Sequence, residues 1–438
     1  MSKATLRRTL DDAVDGMACT DAEVASVRRL CRSSPERVVE MLRGSGTLSD
    51  AQGAKDVDKM KGSGVGPALV GVGELVKSER MSAYQIATWR KLVDAGVVDS
   101  LVFNILHSAN VITASPSMPD DIREKARKQM QAPYYLAVEI LSNSSRLIHL
   151  SPSPQDAMFL SALKAHWSDM MERIWNEPFN SLESEESHAF ERAVVATLVH
   201  RIIMADPTFL DIAYKDRTIP VLTRIWAYSG TCAVQQIDAY MTGVVLSELV
   251  RPRTPNIVAY MRPRTKKLGK AQLISQMCVG VATTPCGTKM NQAKALVEAF
   301  ASRFSLLNGQ DVEAVLEMTL ELLEAGKEKA SGAQAWVQEV FTNDKFWRGL
   351  FSLLRRIQKG QARDSRGTSS PKHMLIQPIV LVSAAFEAAT VRQRAELIST
   401  CARVGFFDAL DVVVVSLLAQ TNEVCRACFP TNTTVRMA

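Results

Sequence analysis

The chain has 438 residues, 47% of them hydrophobic and 22% charged, with a formal net charge of +6 at neutral pH. Such an apolar share supports a large buried core and excludes disorder of the whole chain, and the length fits two or three ordinary domains or one continuous repeat array. The mild positive charge neither demands nor excludes nucleic acid or acidic partners.

Taken in order, residues 1–16 lack the apolar stretch of a secretory signal, and Asp11, Asp12 and Asp15 argue against a mitochondrial presequence. Residues 1–43 read as N-terminal helices. Thr20 and Glu23 have the spacing of a capping box, and Ser34-Pro35 places a capping serine before a proline in the first helical position. Residues 44–73, rich in Gly, Ser, Asp and Lys, read as a flexible connection. Beyond Ser82, the residues Ile86, Trp89 and Val93 mark one helical face. Proline–serine clusters at 115–119 and 151–154 break helices, and Phe190, Val194, Leu198 and Ile202 form a further stripe.

Residues 251–270 carry seven Lys or Arg, three prolines and no acid, the composition of an exposed insertion. Residues 361–372 read as a second one. Between them, Val312, Val315, Leu316, Thr319, Leu322 and Leu323 line one side of a predicted helix whose glutamates 313, 317, 321 and 324 lie elsewhere. No stretch reaches the roughly 18 uncharged apolar residues of a membrane span. The runs at 374–386 and 412–419 fit buried core helices, and the β-branched run 412–415 is expected to be helix by its surroundings. The fold class predicted is all-α.

A short phrase recurs at the predicted helix starts. It reads Gly96-Val97-Val98-Asp99-Ser100-Leu101 and Gly405-Phe406-Phe407-Asp408-Ala409-Leu410, with looser copies at Gly64-Val65, Thr218-Ile219 and Lys345-Phe346. Residues 91–106 resemble the middle of an armadillo repeat, in which a glycine breaks one helix and a long third helix opens on an apolar pair and a leucine. The stretch running to Val415 is similar. That resemblance implies an irregular armadillo-like α-solenoid over residues 74–424, with a C-terminal tail at 425–438. Helix breakers spaced for repeats of about 40 residues agree with it.

Chemistry is sparse. Glycines 62, 64 and 66 lack the strand and frame of a dinucleotide loop, and residues 280–289 have the wrong spacing for a phosphate loop. The six histidines form no H-E-x-x-H, and no G-x-S-x-G is present. No catalytic or cofactor-binding residue is assigned, and no cofactor is expected. Eight cysteines lack the spacing of a disulfide framework, so reduced thiols in a cytoplasmic or nuclear protein are expected.

Cys425 and Cys428 have the C-x-x-C spacing of half a zinc site. With the helical region before them, they resemble fungal proteins in which an armadillo-like region precedes a C-terminal MYND zinc finger. The remaining ligands of that finger are absent, so the resemblance is to a truncated version and no closed metal site is expected. Arg251, Arg253, Arg262, Arg264, Lys266, Lys267 and Lys270 are the candidate contacts to phosphates or acidic segments. The function expected is a non-enzymatic scaffold for protein partners. The alternatives are a nucleic-acid binder acting through loops 251–270 and 361–372, and an all-helical enzyme whose site is assembled from distant residues.

Overall fold

In the computed structural model the residues described are 19–44, 64–78, 80–107, 120–150, 152–176, 185–228, 235–262, 270–282, 289–306, 312–325, 331–360, 371–408 and 410. Among them the regular structure is all helical, as expected. They belong to two units, one formed by residues 1–248 with 252–268 and the other by 249–251 with 269–438. Each unit has its own core.

The first unit opens with α1 (Asp21–Ser33) and α2 (Pro35–Arg43). The capping box at the start of α1 is formed: the Glu23 amide donates to the Thr20 hydroxyl, and the Thr20 amide donates to the Glu23 carboxylate. Pro35 occupies the first turn of α2 as its missing N–H permits, but Ser34 makes no side-chain cap. Next comes α3 (Val65–Val76), which corrects the reading of 44–73 as a connection, because residues 65–73 are helical and mostly buried. Glycine suggests a loop, yet here it permits contact: a Cβ on Gly71 would sit 2.8 Å from Cγ1 of Val27.

The unit continues through α4 (Ala83–Asp94), α5 (Val97–His107), α6 (Asp120–Ser145), α7 (Leu147–Leu150), α8 (Pro154–Asn176) and α9 (Glu185–Ala205). After a short 3-10 turn come α10 (Leu210–Ala213), α11 (Thr218–Tyr228), α12 (Gln235–Val250) and α13 (Pro255–Met261). Trp167, Trp226, Tyr134, Tyr135, Tyr214 and Phe209 fill the interior. The buried Trp167 indole donates to the Thr218 hydroxyl at 2.9 Å, which satisfies a polar group that burial would otherwise penalise.

The second unit contains α14 (Lys270–Val281), α15 (Lys289–Leu306), α16 (Val312–Ala325), α17 (Ser331–Thr342), α18 (Asp344–Gln358), α19 (Pro371–Ala388) and α20 (Val391–Arg403). Its core is aromatic. Phe304 meets Phe346 at 5.3 Å, Phe346 meets Trp347 at 5.1 Å, and Phe351 stacks on Phe406 at 4.7 Å. All six apolar-face residues named for α16 are buried, but so is Glu317, which the pattern had left on the outer side.

The recurring phrase marks a helix start wherever it occurs. Gly64, Gly96 and Gly405 all adopt positive φ, at 73°, 90° and 77°, a backbone region that disfavours any residue with a Cβ. Where the glycine is lacking, a side chain caps instead: Asp216 accepts from the Thr218 amide, and Asn343 accepts from the Phe346 amide. The Gly96 and Gly405 junctions share more than their backbone. Beside each stand a guanidinium from an earlier helix and the aspartate three residues on: Arg43 and Asp99 at the first, Arg355 and Asp408 at the second. The helix before each also begins with a capping box, Ser82 with Gln85 and Thr390 with Gln393.

Candidate functional site

The basic stretch is the first place to look, because it holds every phosphate-contact candidate named from sequence. The reading of 251–270 as an exposed insertion is corrected in its middle. There α13 forms a short helix whose Ile257 and Met261 are buried and whose Tyr260 hydroxyl donates to Asp211 at 2.6 Å. Two of the candidate cations are already engaged. Arg251 lies 3.6 Å from both the Glu317 and the Glu321 carboxylate, and Lys270 is bonded to Glu321. These carboxylates neutralise the cations and weaken the case for them as phosphate ligands. The backbone amide of Arg253 donates to Glu248, and Arg262 closes α13 by donating its amide to Val258. Arg264, Lys266, Lys267, residues 361–370, and Cys425 and Cys428 lie outside the described residues.

A second location emerges only in three dimensions. In the first unit α1, α3 and α4 enclose a cleft of about 260 Å³ lined by Arg28, Arg32, Cys31, Glu74, Tyr84 and Thr88, among others. Arg28 pairs with Glu74 at 3.2 Å, and the Arg32 guanidinium lies 4.8 Å from the centre of the half-exposed Tyr84 ring. Gln85 donates to the Leu75 carbonyl and holds α4 against the end of α3. Two guanidiniums thus face one carboxylate across a wall that also offers an aromatic surface, an arrangement suited to an anionic side chain carried on an apolar or planar stem. Cys31 at its floor is buried, and burial raises its thiol pKa to about 11, outweighing the nearby Arg28 charge. That suppresses the thiolate on which cysteine nucleophilicity depends.

A third location is a small hollow beside a buried acid. Glu191 on α9 is 2% exposed and lines a hollow of about 10 Å³, room for one water at most, together with Trp175, Arg192 and Arg224. Burial pushes its carboxyl up to about 8, against the opposing pull of the Tyr134 hydroxyl and the Arg192 and Arg173 charges. Glu139, on α6, is raised to about 7 for the same reason. At the rim, Arg224 stacks on Trp175 at 3.1 Å and donates to its carbonyl. The hollow is too small to admit a substrate.

The signals for these sites were faint in the sequence. Arg28 and Arg32 look like an ordinary solvated helix face, and nothing local announces that α3 and α4 close over them. Among the described residues, no group of three His, Cys, Asp or Glu side chains is placed to hold a metal ion, and no single helix is long and apolar enough to cross a membrane. The chain matches no protein-family model and no curated protein.

Proposed function

We propose that this chain is a non-enzymatic, armadillo-like scaffold that binds a segment of a protein partner in the α1–α3–α4 cleft. The observation that carries the reading is the cleft itself, which is open, roomy and edged by two arginines and a tyrosine. The partner segment is acidic. Its carboxylate takes up Arg32 and competes with Glu74 for Arg28, while an adjoining apolar or planar group packs on Tyr84. The twin glycine junctions support the repeat-like part of the reading, since stacked helical repeats bind through surfaces assembled from successive helices.

The test is quantitative affinity capture from native cells with the wild-type chain, an Arg28→Glu/Arg32→Glu variant and a Tyr84→Ala variant. The reading expects a discrete set of proteins that both variants lose while far-ultraviolet helicity stays unchanged. Retention of the same set by both variants would defeat it. Recovery of nucleic acid, with a steep salt dependence lost on substituting the 251–270 cations, would favour the nucleic-acid alternative.

A further inference from the structure

The charges of the α1–α3–α4 cleft are unequally paired. Arg28 and Arg32 stand one turn apart on α1, and Glu74 faces them from α3. Arg28 meets Glu74 at 3.2 Å. Arg32 meets no carboxylate among the described residues and rests its guanidinium 4.8 Å from the centre of the Tyr84 ring. Two cations against one anion leave the cleft one net positive charge. A single carboxylate neutralises that charge, and a doubly charged group overshoots it.

The uncharged lining is largely committed elsewhere. The Ser82 hydroxyl donates to the Gln85 side chain, the Gln85 side-chain amide donates to the Leu75 carbonyl, and the Thr88 hydroxyl donates to the Tyr84 backbone carbonyl. An incoming anion therefore draws its main hydrogen bonds from guanidinium. A carboxylate has two oxygens, the number that one guanidinium fork engages side by side. A phosphorylated side chain brings three acceptor oxygens and nearly two negative charges at neutral pH, and the Glu74 carboxylate stands against it. The Glu74 side chain is 40% exposed, so this repulsion is felt most at low ionic strength.

We infer that the cleft selects a peptide carboxylate over a phosphorylated side chain, and that Glu74 sets the choice. Arg32 holds the carboxylate by its fork, and Tyr84 takes an adjoining aromatic or apolar group. Glu74, by neutralising Arg28, keeps the second cation from recruiting a doubly charged ligand. Discrimination then comes from a built-in repulsion as well as from an attraction. This inference rests on the reading of the cleft as a binding site and goes further by naming the anion. The carboxylate belongs to an acidic side chain or to a chain end.

The test titrates the intact chain at low ionic strength, by ligand-observed NMR, with three short peptides of one frame. They are acetyl-phenylalanyl-glutamate amide, acetyl-phenylalanyl-phosphoserine amide, and acetyl-phenylalanyl-alanine with a free carboxyl end. At least one carboxylate peptide should bind saturably, about tenfold or more tighter than the phosphoserine peptide, and Arg32→Met should weaken it by a similar factor. The tighter of the two carboxylate peptides names the source of the carboxylate. Glu74→Gln should narrow the preference by about tenfold, chiefly through tighter phosphoserine binding, with helicity unchanged. Equal or tighter binding of the phosphoserine peptide by the wild-type chain would overturn the inference while leaving the cleft an anion site. So would a preference that Glu74→Gln does not alter. No saturable binding by any of the three, or binding that Arg32→Met does not weaken, would defeat the reading of the cleft itself and the inference with it.

Discussion

Replacing Glu191 by glutamine should stabilise the protein near neutral pH and change little in mild acid. The carboxyl sits fully inside the first unit, and burial raises its pKa from an ordinary 4.5 to about 8. It is therefore protonated in the folded chain and ionised in the unfolded chain throughout the interval between those values. Folding takes up a proton there, so the contribution of Glu191 is fully present below about pH 4.5 and falls as pH rises toward 8. At about pH 7 the accumulated cost is some 2.5 pKa units, on the order of 3 kcal/mol. Glutamine carries no ionisable proton and escapes that cost while filling nearly the same volume. The assay is urea unfolding of the intact chain, followed by tryptophan fluorescence, for wild type and Glu191→Gln at a series of pH values from about 5 to 8.5. The difference between the two should be small at the acid end and should grow with pH in favour of the variant. Glu139 titrates in both proteins and drops out of the difference. A variant less stable than wild type by the same amount at every pH would refute the reasoning, because the carboxylate would then be ionised in the fold and held by Arg173 and Arg192.

Gly349→Ala should lower the unfolding midpoint of the second unit, because its Cβ would lie 2.6 Å from the Ala301 carbonyl oxygen where α15 and α18 cross; overpacking of this kind costs about 1–3 kcal/mol, and an unchanged midpoint in urea would contradict the close approach. Gly96→Ala and Gly405→Ala should each cost about 1–2 kcal/mol from left-handed backbone alone, by similar amounts because the Arg355 guanidinium that a Gly405 Cβ meets at 3.3 Å can move aside; calorimetric melting of both variants checks this, and an unchanged midpoint in either would contradict it. Cys31, Cys278 and Cys401, whose thiols burial raises to about 11, 12 and 12, should resist alkylation in the native chain and react after unfolding, as read by site-resolved peptide mapping.

Helix was legible because its determinants are local. The Thr20–Glu23 box, Pro35 in a first turn, the apolar side of α16 and the recurring glycine phrase act within a few residues, and a single sequence carries that information. Packing was less legible because it depends on residues far apart. Gly66, Gly71 and Gly73 read as loop, but Gly71 is glycine because Val27 of another helix leaves no room for a Cβ. Arg251 and Lys270 read as candidate phosphate contacts until Glu317 and Glu321, roughly fifty to seventy residues on, were brought to them. Arg28 and Arg32 gave no signal at all, since the cleft exists only where α3 and α4 meet α1.

Hydrogen exchange of the intact chain, measured by mass spectrometry with and without a captured protein partner, tests the central claim most directly. The scaffold reading predicts slowed exchange in peptides that span Arg28–Arg32 and Tyr84–Thr88, with a smaller effect in the Arg28→Glu/Arg32→Glu variant at the same partner concentration. Slowed exchange confined to residues 251–262, or none in the first unit, would contradict it.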